Sequence, residues 1–518
     1  MAPQTLNLAS RSPSKQEAVR QGLNPSKAKY KSCLCISLYI TDRQTDRQKN
    51  SLINKRSQSA LEYMMTYGWA ILIIVIVAAV LYSFGVFSPS SSISATITGF
   101  SGLGSVQAEC VPNAGLQLQF GNSLGYLINV TSINITSVPG LKISPGVVLS
   151  AQQSDDFFVP YATLCSSGSR YSVSVSVAYT KPGSPFPGPY YSQGTISSRA
   201  STAGGYVPLT ITNTQLSATP APFQQMFNLS ISSGAWYPIT GYISSTYQNV
   251  MFFTSGGAVI SSWLENYSSS QFVYWLKLDN GIPASSSVTA YMVFYPKSDN
   301  VLNTVNTGEA PQLSTTYAEY DDGAKVFSFY DNFAGTSLNT NKWSETINGG
   351  ITITVNNGLT ITQTGGTYNS QGIIGKTGVS VPAIIESYGK IPQGQNTGYD
   401  MSAFGILNSL SPFNLLAIGT GNAVGNIYLV PTNNGPLTNY NSYATSNEIW
   451  SVWYNGSVTT SQMNYGDTYT HSYSITSTLY PAFYLESNGN SEYFSQWLRT
   501  RAYPPNGVMP PVTFGAIN

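Results

Sequence analysis

The sequence predicts a mainly β protein, with one N-terminal transmembrane helix followed by tandem β-sandwich (jelly-roll) domains. Three observations carry that expectation. Residues 69–87 form an apolar run without charge, close to the length at which a helix rising 1.5 Å per residue crosses a bilayer. Beyond it come many short runs that alternate apolar and polar residues between Gly, Pro and Asn, the pattern of half-buried strands joined by turns. Charged residues are only 9% of the 518, while the hydrophobic fraction is 42% and the aromatic fraction 13%. Few charges with many aromatics exclude a disordered chain. A surface built from Ser, Thr, Asn and Gln points to an exported protein, and the single His excludes a multi-His metal cage.

Residues 1–57 read as a basic leader. The first 56 hold 11 Lys/Arg against 3 Asp/Glu, a net of +8, and the rest of the chain carries a net of −7. Such a segment has too little apolar surface to fold alone, and a role in topology is preferred over nucleic-acid binding. It contains the tandem TDRQTDRQ from Thr41 to Gln48, and no Met lies between Met1 and Met64. A true start near Leu52 is therefore an open alternative, in which Cys33 and Cys35 would not exist. The apolar helix is expected over 58–87. Lys55 and Arg56 precede it and acidic residues dominate after it, so the positive-inside rule keeps the N-terminus cytoplasmic and the bulk of the chain outside.

The stretch KRSQSALEYMMTYGWAILII, Lys55 to Ile74, resembles the class III signal of archaeal type IV pilin-like proteins. The resemblance implies a prepilin peptidase cutting between Ser57 and Gln58, although the family prefers Gly where Ser57 stands. Glu62 would then be the fifth mature residue and pair with the amino terminus of an identical subunit. The alternative is an uncleaved anchor.

Residues 88–200 are expected to be an exported β domain with a linker, 201–310 a second sandwich, and 311–518 a third sandwich and tail. Runs such as YSVSVSVAY (Tyr171 to Tyr179) and VTAYMVFY (Val288 to Tyr295) alternate as strands do. GITITVNNGLTIT, Gly350 to Thr362, is a hairpin, because Asn357 and Gly358 tolerate the positive φ its turn needs. Pro-rich or polar punctuation falls at Thr180–Thr195, Asn303–Thr316 and the tail Ala502–Pro511.

Trp263-Leu264-Glu265, Trp275-Leu276-Lys277 and Phe294-Tyr295 resemble a module of unknown function found in prokaryotic surface proteins, its aromatics expected to pack in a core. VFSFYDNFAGTSLNTNKWS (Val326 to Ser344), EIWSVWYNGS (Glu448 to Ser457) and YFSQWLRTRAY (Tyr493 to Tyr503) resemble a concanavalin A-like lectin/glucanase domain. That resemblance implies glycan binding, with Trp450, Trp453, Tyr454 and Tyr465 able to stack on pyranose faces.

Hydrolases of this sandwich type place paired carboxylates on alternate strand residues. No E-x-D-x-x-E occurs here, so no catalytic residue and no enzyme activity are expected. Asp321, Asp322, Asp331 and Asn332 offer the hard oxygens a calcium ion takes, with a solvated turn as the alternative. Cys110 and Cys165 are the exported cysteines and should pair in an oxidising exterior. N-x-S/T sequons stand at Asn129, Asn134, Asn228, Asn266 and Asn455. The expected protein is thus a pilin-like or adhesive membrane-anchored surface protein, with a lectin-like one as the alternative and a glycan hydrolase as the third reading. Its partners are the membrane and surface glycans.

Overall fold

A computed structural model describes residues 67–68, 70–77, 95–230, 239–268, 271–346, 351–363, 369–390, 401–408, 415–421, 427–430, 438–440, 446–472, 475, 477–487 and 491–518. The chain divides into two units, 1–89 and 90–518. In the first, residues 70–77 are helical, and Ile71 to Val77 expose their side chains. Among the described residues no helix is long and apolar enough to cross a membrane. Most of the span expected over 58–87, with Ser57, Gln58 and Glu62, lies outside the described residues.

The second unit is built almost wholly from β-sheets, as the alternation predicts. Its first sandwich faces a six-stranded sheet with a three-stranded one. The larger runs Thr96–Gly99, Tyr190–Arg199, Arg170–Thr180, Ile128–Ile135, Lys142–Ile143, with Val147–Leu149 also pairing to Ile128–Ile135; the smaller is Leu103–Val111, Gly115–Asn122, Ser154–Pro160. Tyr171, Val173 and Val175 point inward while Ser172 and Ser174 face out, the period-2 pattern of a sheet with one wet face. A disulfide joins buried Cys110 to Cys165, 55 residues apart. In the chain-entropy view, a loop of that size stabilises by about 4 kcal/mol.

The middle sandwich pairs two four-stranded sheets. One runs Val250–Thr254, Ser286–Phe294, Gly205–Asn213, Val512–Phe514; the other runs Phe223–Ser230, Gln271–Leu278, Ser262–Tyr267, Thr307–Glu309. The expectation that the chain ends in a plain tail is corrected here. After Pro511 it returns to the middle sandwich, where Leu209, Thr210 and Ile211 pair with Phe514, Thr513 and Val512.

The C-terminal sandwich has an eight-stranded and a seven-stranded sheet. The strands that matter below lie in the larger, where Ser491–Ala502 runs beside Ala383–Lys390, and that strand beside Glu448–Tyr454. The foreseen hairpin is present: Ile351–Val355 pairs with Leu359–Gln363, and Asn357 and Gly358 take φ of 52° and 142°. Phe404, Trp450, Val452, Phe483 and Leu498 fill the space between its sheets.

Candidate functional site

The middle and C-terminal sandwiches meet through side chains that alternation places on facing sheets. On Ser491–Ala502, Leu498 enters the core, whereas Trp497, Arg499 and Arg501 lie on the opposite side. On the middle sandwich, Trp263 pairs in register with Trp275. A β-bulge between Leu264 and Asn266 interrupts that ladder; an extra residue of this kind re-aims the strand locally, and Glu265 sits at that point.

Arg499 is wholly buried where these elements converge. Its Nη2 donates to Glu265 Oε2 at 2.6 Å and its Nε to Glu386 Oε2 at 2.7 Å, while Arg501 Nη2 donates to Glu386 Oε1 at 2.8 Å. The guanidinium carbon lies 4.4 Å from the Trp275 ring centroid, 4.6 Å from Trp497, 4.7 Å from Phe327 and 5.3 Å from Trp263. Glu265 Oε2 also accepts from Trp275 Nε1 and from the Tyr465 hydroxyl. Two cations and two carboxylates are thereby neutralised inside a ring of aromatics, the arrangement that makes a buried charge tolerable. Burial alone would raise the Glu386 carboxyl, but Arg501 and Arg499 hold it down at about 2.

Beside this latch a cleft of about 380 Å³ opens between the two sandwiches. Asn228, Asn266 and Gln271 line it from the middle sandwich, and Tyr388, Glu448 and Asn464 from the C-terminal one. Tyr388 is half-buried and stacked on Trp497, with ring centroids 5.6 Å apart. Glu448 accepts hydrogen bonds from Ser446 Oγ at 2.6 Å and from Asn464 Nδ2. Asn464 Oδ1 in turn accepts from the Ile449 amide at 2.9 Å, which orients it. Tyr465 reaches the floor, where its hydroxyl accepts from Arg499 at 2.8 Å. Burial pushes the Tyr465 hydroxyl far up, so it remains a neutral donor. Amides, a carboxylate and half-exposed rings are groups that pair with sugar hydroxyls and sugar faces.

A second polar cleft, of about 250 Å³, opens on the first sandwich, lined by Gln107, Glu109, Gln117, Gln119 and Asp156. Cross-strand register brings Gln107 beside Gln119 and Glu109 beside Gln117. Asp156 accepts from Gln119, Gln117 and Asn306 at 3.2, 3.4 and 3.3 Å. Burial, helped by Asp299, raises Glu109 to about 6, and burial raises Asp155 to about 6 as well.

The residues singled out in the sequence fall in different places. Trp450 and Tyr454 are fully buried in the C-terminal core, so neither can stack on a sugar, which corrects that expectation. Trp453 is half-buried against Arg501, and Tyr465 alone of the four reaches the cleft. The calcium set does not form either. Asp321 accepts from Trp263 Nε1, the Gly323 amide, Tyr330 Oη and Asn332 Nδ2, donors that a cation would have to displace. Asp331 accepts from Trp343 Nε1 at 2.6 Å and faces Lys342 at 3.6 Å. Burial, then Asp321, pushes the Asp322 carboxyl well above the carboxylate range. Among the described residues no group of three or more acidic, His or Cys side chains could hold a metal. Asn129 and Asn134 are half-buried in a strand, whereas Asn228, Asn266 and Asn455 are exposed.

Sequence reasoning missed the Arg499 latch. Its signal was present in Trp497-x-Arg499-x-Arg501, whose spacing puts two cations on one strand face, and in Trp263-x-Glu265.

No family model matches the chain. It is similar to an uncharacterised protein of Sulfolobus islandicus rod-shaped virus 1, at 31% identity over 337 residues. The match covers 58% of this chain and 57% of the viral protein, so it spans just over half the length of that relative. Among solved structures, the catalytic domain of an endo-1,3-β-glucanase (laminarinase) from Thermotoga petrophila is similar at 12% identity and TM-score 0.27, over 34% of this chain and 96% of that one. An immunostimulatory antigen and pseudo β-1,3-glucanase of Mycobacterium tuberculosis is similar at 14% and 0.28, over 34% of this chain and 98% of that one. At these values the likeness is one of β-sandwich fold. The neighbours still correct one expectation. Glycoside hydrolases recur among them, contrary to the expectation of no enzyme activity.

Proposed function

We propose that this is a glycan-binding surface protein that holds sugar in the cleft between its middle and C-terminal sandwiches. The observation that carries this reading is the convergence of Tyr388, Glu448 and Asn464 on a cleft whose two walls the Arg499 latch fixes together. Fixed walls lower the ordering cost of binding. Among the cleft's lining residues none is Lys, Arg or His, which favours hydroxyl recognition over capture of an anion.

The apolar run ending at Phe87 and the basic pair Lys55-Arg56 support a single-pass anchor with the sandwiches outside. Ser57, Gln58 and Glu62 support processing by a prepilin peptidase and packing with identical subunits. Mass spectrometry of the N-terminus of protein from native membranes tests this part. A first peptide at Gln58 supports it, and peptides from residues 1–50 overturn it.

The glycan reading is tested by titrating a panel of soluble oligosaccharides into the full chain. At least one should bind, and Tyr388→Ala or Glu448→Ala should weaken it about tenfold or more, as loss of a stacking ring or a charged acceptor does. No binding across the panel, or binding indifferent to both changes, rejects the cleft. Release of reducing ends is measured on the same panel with Glu448→Gln beside the parent, because Glu448 lines the cleft without a salt-bridge partner among the described residues.

A further inference from the structure

Of the five sequons, two stand together. Asn228 lies opposite Val273 on one side of the strand Gln271–Leu278, and Asn266 lies opposite the same Val273 on the other. Paired residues of neighbouring antiparallel strands share a face, so both asparagines lie on the face that carries Val273, about two strand spacings or ~10 Å apart. Val273 packs into the apolar cluster between the middle and C-terminal sandwiches. Both asparagines are exposed and both line the 380 Å³ cleft. Asn228 Oδ1 accepts from Gln271 Nε2 at 2.7 Å, and Gln271 lines the same cleft. By contrast, Asn129 and Asn134 are half-buried within a strand, and Asn455 closes a turn, accepting from the Ser457 and Val458 amides.

We propose that Asn228 and Asn266 are a paired N-glycosylation site whose own sugars occupy the cleft and hold it closed to other glycans. This inference rests on the cleft being a sugar site. In the transfer, the carboxamide nitrogen attacks C1 of an oligosaccharide carried on a polyprenyl pyrophosphate. The N–C1 bond forms and the C1–O bond breaks. The lipid pyrophosphate leaves with the bonding pair, and the amide loses one proton. A sugar placed on either asparagine starts inside the cleft, so its hydroxyls meet Tyr388, Glu448 and Asn464 at an effective concentration no free glycan reaches.

The test uses the full chain made in a host that transfers oligosaccharides to N-x-S/T and in one that does not. Peptide mass spectrometry should find sugar on Asn228 and Asn266 from the first host, and that protein should bind the oligosaccharide panel at least tenfold more weakly than the unmodified chain. Ser230→Ala with Ser268→Ala removes both sequons and keeps both asparagines, and should restore binding in the modifying host. Enzymatic trimming of the attached sugars should likewise restore binding, and serves if that pair does not fold. Bare Asn228 and Asn266 beside a modified Asn455, or equal binding by modified and unmodified chains, overturns the inference. Absence of binding by the unmodified chain instead rejects the glycan-binding reading, while the mass spectra still decide whether the paired site is used.

Discussion

The two junctions of the sandwich unit solve the same problem by opposite chemistry. Between the middle and C-terminal sandwiches, buried Glu265 and Glu386 pair with two arginines within an aromatic cage. Between the first and middle sandwiches, carboxyls face amides and one another, and Asp156 is met by Gln117, Gln119 and Asn306. At one junction carboxylates are met by arginines, and at the other a carboxyl is met by amides beside an apolar cluster. The difference teaches that the two joints must respond to acid in opposite senses.

The largest expected effect comes from breaking the ionic joint. Arg499→Met leaves Glu265 and Glu386 with fewer partners in a dry interior, and removal of one member of such a network costs roughly 3–5 kcal/mol. Calorimetry should show the parent's joint transition split, with the C-terminal sandwich melting earlier. An unchanged single transition would mean that packing alone holds the joint.

The next effect separates the ionic joint from the buried carboxyls of the first sandwich by pH. Glu109 and Asp155 have folded values of about 6, above their ordinary ones. Their contribution is therefore fully present below about pH 4 and is lost as pH rises through 6. Glu386 is the reverse case, held at about 2; its contribution is present above about pH 4.5 and is lost only as pH falls through 2. Melting temperature should fall by roughly 2–5 °C between pH 4 and pH 7. Glu109→Gln with Asp155→Asn should flatten that slope without altering the acid limb. A slope that persists in the double variant assigns it to other carboxyls.

The smallest effect concerns one neutral donor. Asn306→Ala removes a single hydrogen bond to Asp156 and should cost about 1 kcal/mol. The loss should be greater at pH 7 than at pH 4, because the donor stabilises the charged form of Asp156 more. Equal losses at both values would place the proton elsewhere.

Much of this architecture could be read along the chain. Alternation in Tyr171 to Tyr179 and the turn at Asn357-Gly358 are local signals, written in neighbouring residues, and the structure shows both. The pair Cys110 and Cys165 needed only the count of cysteines after residue 88. What could not be read is whatever depends on two distant strands meeting. Trp450 and Tyr454 look like ligand aromatics until one knows that their strand turns that side inward. Asp321 looks like a cation ligand until Trp263 and Tyr330 arrive to occupy it. Glu265, Glu386 and Arg499 come from three separate parts of the sequence, so their meeting is a property of the fold and of no local pattern.

The return of Val512–Phe514 to the sheet beside Gly205–Asn213 has a consequence for synthesis. The C-terminal sandwich is an insertion within the middle one, so the two cannot mature in simple order along the chain. While a ribosome adds residues at about 5–20 per second, the edge at Leu209 to Ile211 waits bare until the last strand emerges. A bare edge is the template on which strands of other chains add. During that interval the nascent protein is most exposed to aggregation, and a factor that shields this edge would do more for its yield than one acting on the finished fold.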